Sequence, residues 1–244
     1  MKYLVYILLL ALSTTFLFSQ EHSVARKWNE VLLQSIRNDL ARPTVHARNL
    51  FHTSVIAYDA WALFNEQATP YFLGKNLNGF YTPLDLEEDI DEYTSEQKDS
   101  ISGIITHYAT RKLLTYRFRN SPNQAKTQLL IDSLFLSADH DTPYTNEDYA
   151  ALGNYLGTKM IEYGQQDGAN DQNDYANLFY KAKKKPLIPA IAGNKTLKFV
   201  NHWQPLALEH FVDQSGNIIP KGSFTFLSPE WGYSKLIFLR NEKA

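Results

Sequence analysis

TVHARNLFHTSVIAYDAWALFN, residues 44–65, decides the fold. Placed on a wheel of about 100° per residue, its apolar residues Leu50, Phe51, Val55, Ile56, Tyr58, Trp61, Leu63 and Phe64 spread around most of a helix, which predicts a buried one. Arg48, His52 and Asp59 nevertheless fall within about 40° of one another on that wheel, so a cation, an imidazole and a carboxylate share one line. Buried charges persist only with partners, and the three are read as a structural polar network in preference to a catalytic or metal site.

Working outward, Val24, Trp28, Val31, Leu32, Ser35 and Ile36 recur at helical spacing and predict an amphipathic helix that Pro43 separates from the central one. Residues 66–93 lose the period at Pro70, Gly74, Asn76, Asn78, Gly79 and Pro83 and read as a long loop with an acidic end. Thr94 with Gln97 is a capping box for a third helix to about Phe118. Ser121 and Pro122 suit the start of a fourth, with apolar positions to Phe135, and Thr145 with Asp148 opens a fifth that Gly164 stops.

DGANDQND, residues 167–174, fails as a calcium loop. Counting from Asp167, the EF-hand pattern asks for ligands, a Gly and a Glu where Ala169, Gln172 and Leu178 stand. The segment is read as a turn into a short sixth helix burying Tyr175, Leu178 and Phe179. Irregular chain follows to Asn201, with a pattern-only glycosylation sequon at Asn194. Strands at 210–212 and 218–219 then make a hairpin, and 224–227 reads as a further short strand. The expectation is a mainly α packed bundle of about six helices with a small β-hairpin region near the C-terminus.

A length of 244 residues, 44% of them hydrophobic, supports a sizeable core, and a net charge of −2 gives no field favouring nucleic acid as a partner. Cysteine is absent, which excludes disulfides, thiolate metal sites and a thiol nucleophile. Lys2, the apolar run from Tyr3 and small Ser19 form a signal-peptide pattern over residues 1–19. An exported protein, periplasmic or secreted, with no stable membrane anchor after cleavage, is expected.

There is no G-x-S-x-G, Gly-rich phosphate loop or H-E-x-x-H. The triplet Asp139-His140-Asp141 suggests a metal, but adjacent residues point apart, and a polar interhelical loop is the simpler reading.

Trp28-Asn29-Glu30 with Ile36-Arg37, Arg42-Pro43-Thr44, Ala47-Arg48, His52 and Tyr58-Asp59-Ala60-Trp61 resemble the N-terminal signature of bacterial vanadium-dependent haloperoxidase-like proteins of the type-2 phosphatidic acid phosphatase superfamily. Asn201-His202-Trp203-Gln204-Pro205-Leu206 and Phe226-Leu-Ser-Pro-Glu-Trp-Gly232 resemble two later landmarks of that family, in the same order. The resemblance implies an all-α fold, vanadate held by Lys, Arg and His, and either halide oxidation by hydrogen peroxide or phosphate-ester hydrolysis.

The family's pocket motifs, Lys-x6-Arg-Pro, Pro-Ser-Gly-His and Ser-Arg-x5-His, do not occur: seven residues before Arg42 stands Ser35, Ser215-Gly216 is followed by Asn217, and no Ser-Arg pair exists. No catalytic, cofactor-binding or metal residue is therefore assigned, and no cofactor is expected in this chain. Vanadate, halide, peroxide or phosphate ester would belong to an intact parent.

The expected organisation is a signal over 1–19, a helical region over 20–200, and a connection over 201–244 toward a catalytic half outside this sequence. The main alternative is a complete exported helical binding or scaffold protein without enzymatic activity. A metal enzyme built on Arg48, His52, Asp59 and the 139–141 triplet is a third. A homo-oligomer stays open throughout.

Overall fold

The computed structural model describes residues 22–86, 92–134, 148–189, 201–212, 214, 216–219 and 225–233. The signal-peptide segment, the 139–141 triplet, Thr145, the sequon and the strand expected from Phe224 lie wholly or partly outside them. The described chain is mainly helical, with a small β component.

Helix α1 (Val24–Arg37) starts where the Ser23 hydroxyl accepts the Arg26 N–H. Helix α2 (Pro43–Ala62) carries Pro at its first position, where no amide proton is needed. Helix α3 (Ser95–Arg117) has the full capping box, with Thr94 and Gln97 bonded reciprocally. Helix α4 (Gln124–Asp132) begins later than the sequence suggests, because the Ser121 hydroxyl donates instead to the carbonyl of Asn38. Helix α5 (Tyr149–Gln166) is capped by Asp148, which accepts the Ala151 N–H, and it runs past Gly164.

Helices α3 and α5 cross closely because α5 presents glycines. A Cβ on Gly153 would sit 2.7 Å from the Ile105 carbonyl oxygen, and one on Gly157 would sit 2.8 Å from that of Ala109. Around this crossing Ile56, Ile105, Leu113, Leu152, Leu156, Met160 and Tyr163 form the main core. A second core joins α1 to α3 and α4 through Trp28, Leu32, Leu114, Phe118 and Ile131. There the Trp28 Nε1–H donates to His107 Nδ1 at 3.0 Å, satisfying the polar edge of a fully buried indole.

Helix α2 is not buried on nearly every side. Leu50, Ser54, Tyr58 and Trp61 form one open face, with Trp61 44% exposed. Aromatic residues read as core in the sequence thus stand at a surface, since helical periodicity cannot tell which side lacks a neighbour.

The long loop contains an unforeseen hairpin, β1 (Asn76–Leu77) with β2 (Phe80–Tyr81). Asn78 and Gly79 turn it with φ of 53° and 88°, the left-handed pair that Asn-Gly favours. The later hairpin, β3 (Phe211–Val212) with β4 (Ile218–Ile219), lies where the sequence places it.

The expected sixth helix is absent. Residues 171–173 make one 3₁₀ turn, and Leu178 and Phe179 are exposed at 59% and 83%. Asp174 and Tyr175, both left-handed, break helical continuation at that point.

Candidate functional site: a buried arginine–aspartate cluster

Arg48 leaves α2 towards the C-terminal end of α5 and the loop beyond it. Its Nε donates to Asp167 at 2.6 Å, and its Nη2 reaches Asp171 at 3.1 Å and the Gly164 carbonyl at 2.9 Å. Arg117, from the last turn of α3, pairs with the same Asp171 and directs Nη2 to His52 Nδ1 at 3.1 Å. Arg119 lies over the Tyr116 ring and donates to the Asp171 carbonyl at 2.7 Å. Gly164 makes room here: a Cβ would run into the guanidiniums of both Arg48 and Arg117, which would have to shift. The glycine read as a helix stop is a seat for two cations.

The side chains of Arg117 and Asp171 are inaccessible to solvent, and that of Arg48 is 8% exposed. Beside them Arg42 bridges Asp39 at 3.0 Å and Asp174 at 2.9 Å, with its guanidinium 5.1 Å from the Tyr175 ring centre. Burial pushes the Tyr175 phenol up to about 12. Burial also pushes the Asp167 and Asp171 carboxyls up while Arg48 pulls them back.

His52 has a defined role. A guanidinium can only donate, so Nδ1 accepts and the ring is neutral with its proton on Nε2. Burial, with Arg48 nearby, holds its pKa well below the ordinary range.

Asp59 is placed elsewhere. Fully buried, it accepts the backbone N–H groups of Tyr71, Phe72 and Leu73 at 2.6, 2.9 and 2.7 Å, fastening the long loop to α2. Burial raises its carboxyl, and these three donors, with Lys75, oppose the rise. The line of three residues on α2 therefore serves two tasks, with Arg48 and His52 brought together through Arg117 and Asp59 acting as a loop anchor.

Sequence reasoning missed Arg117, Asp167 and Asp171 as members of the cluster. The i, i+4 aspartates in DGANDQND were the available signal, weighed against the wrong ligand.

Charge decides what the cluster can hold. Arg42, Arg48, Arg117 and Arg119 are set against Asp39, Asp167, Asp171 and Asp174, four against four. Arg42 Nε, Arg48 Nη1 and Arg117 Nε have no hydrogen-bond partner among the described residues, but the carboxylates match the guanidiniums in number, so an oxyanion would find no surplus of positive charge and these residues do not fit vanadate. Among the described residues, no group of three or more His, Asp or Glu is placed to hold a metal ion, and no helix is long and apolar enough to cross a membrane.

The later motif segments meet this region. Thr44 and Ser228 hydroxyls are 2.6 Å apart across 184 positions, Trp231 packs on Tyr175, and Trp203 meets Phe226 edge-on at 5.1 Å. Glu230 accepts the N–H groups of Leu178, Phe179 and Tyr180, which holds its pKa below the usual carboxylate range. No protein-family model matches the chain, and no curated protein or solved structure matches it either.

Proposed function

We propose that this chain is a supporting, non-catalytic helical unit of an exported haloperoxidase-like or acid-phosphatase-like enzyme. One observation carries the reading: the three motif segments on which the resemblance rests converge in space, and their charged residues are spent on internal contacts. Arg42 and Arg48 face aspartates, His52 faces Arg117, Asp59 fastens a loop, and Glu230 clips residues 178–180. Such residues hold one element to another. In the parent family, vanadate or a phosphate ester would be held by the three pocket motifs that this sequence lacks.

The test is direct. Purified chain should show neither bromide oxidation with peroxide and added vanadate nor phosphatase activity, and its melting temperature should not move with vanadate. Either activity, or a saturable vanadate-dependent rise in melting temperature, would overturn the proposal.

A further inference from the structure

Away from the arginine cluster, a cleft of about 150 Å³ opens between the C-terminal end of α2 and the first turns of α3. Trp61 and Phe64 give it apolar surface, and Asn65, Ser95, Lys98, Asp99 and Ser102 give it polar groups. Trp61 is half-exposed, and the half-exposed ring of Tyr58 lies 5.8 Å from it, extending the aromatic surface beyond the cleft. Large exposed aromatic side chains beside a concave polar rim are how small-ligand sites are built.

Size and polarity narrow the occupant. An apolar cavity of about this volume takes a single six-membered ring. A hydrocarbon ring would use the Trp61 and Phe64 surface alone and leave the polar rim without a role. A simple anion finds the Lys98 ammonium already facing Glu66 at 3.9 Å, and a metal cation finds Asp99 as the single carboxylate among the lining residues. A neutral ring with one C–H face and a rim of hydroxyls fits both halves. The C–H face would lie on the indole, while hydroxyls donate to Asp99 and accept from Lys98. The Asn65 side-chain oxygen already accepts the Gln67 N–H, so its amide nitrogen is the group turned to donate.

We infer that this cleft binds a pyranose sugar ring, free or as a residue of a glycan. The inference does not rest on the haloperoxidase-like reading. An open site holding one ring binds weakly, in the millimolar range.

The experiment is an NMR titration of the full chain, following the Trp61 indole N–H and the amides of residues 95–102. The probes are glucose, galactose, mannose and N-acetylglucosamine, their β-linked trisaccharides, and glycine and phenylalanine as zwitterions. At least one sugar should give saturable shifts, abolished in Trp61→Ala and weakened about tenfold in Asp99→Ala, at unchanged melting temperature. Tighter binding of a trisaccharide than of its monosaccharide would identify a glycan; equal binding would identify a free sugar. No saturable response to any sugar, a response to the amino acids alone, or full retention in Trp61→Ala would overturn the inference. Should Trp61→Ala not fold, Asp99→Ala decides alone: Asp99 is exposed, and undiminished sugar binding there overturns it.

Discussion

Asp59 and Asp171 are both buried aspartates, yet they fail in different ways. Asp59→Ala leaves three backbone donors of residues 71–73 without an acceptor, a loss of about 3–5 kcal/mol at one to a few kcal/mol per stranded group. Chemical denaturation checks it, and a change under about 1 kcal/mol would mean that water replaces the carboxylate. Asp171→Ala leaves Arg48 and Arg117 facing each other across a buried seat, and should also cost about 3–5 kcal/mol.

The histidines set a pH dependence. His46, His52 and His107 are each held below the ordinary value of about 6.5, first by burial. Unfolded chain takes up protons there that folded chain refuses, so stability is full above about pH 6.5 and falls as pH drops below it. Enclosed His52 contributes up to about 1.4 kcal/mol per pH unit, and solvent-screened His46 and His107 contribute less. The raised carboxyls of Asp59, Asp167 and Asp171 act in the opposite sense in a lower window, above their unfolded value of about 4. Denaturation midpoints should therefore be nearly equal at pH 8 and 6.5 and lower at pH 5, and His52→Gln should reduce that drop.

At the scale of elements, the α3–α5 crossing is the most sensitive joint. Gly153→Ala or Gly157→Ala places a methyl against helix backbone that cannot turn aside, and each should cost about 1–3 kcal/mol, read as a lowered melting temperature. Alanine is the better helix former, so a neutral or stabilising result would show that the helices part freely.

Local signals were the legible ones. Thr94 and Gln97 act within one turn, and Pro43 opens a helix by its own ring geometry, so both could be read without knowing the fold. Asn78-Gly79 is a local hairpin signal too, set in a stretch without helical period. The approach of α5 to α3 was out of reach, because Gly153 and Gly157 gain meaning only beside Ile105 and Ala109. The exposure of Leu178 and Phe179 was equally hidden: apolar character states a preference, and the left-handed backbone at 174–175 overrode it.

At the scale of the molecule, the helical class and the C-terminal hairpin follow from period and turn chemistry, whereas the partners of the polar line on α2 did not. Arg48 meets aspartates 119 and 123 positions away, a pairing no window contains. Asp59, on the same line, bonds only 12 to 14 positions ahead. The first pairing closes the assembly and the second ties one loop. The segment at 228–230 is attached by surface contacts to Thr44 and residues 178–180, so its amides should exchange with solvent before those of α3 and α5.

The seat at Gly164 also bears on the order of events in folding. Asp171 can reach Arg48 and Arg117 only once α2, α3 and α5 stand side by side and the chain has turned through Gly168 and Asn170, both with positive φ. We expect the cluster to close after the rate-limiting barrier. Removing Asp171 should then leave the refolding rate nearly unchanged and place almost the whole effect on unfolding, with a φ-value near zero. On that expectation the charges at the centre of the molecule should govern how long the native state lasts more than how fast it is reached.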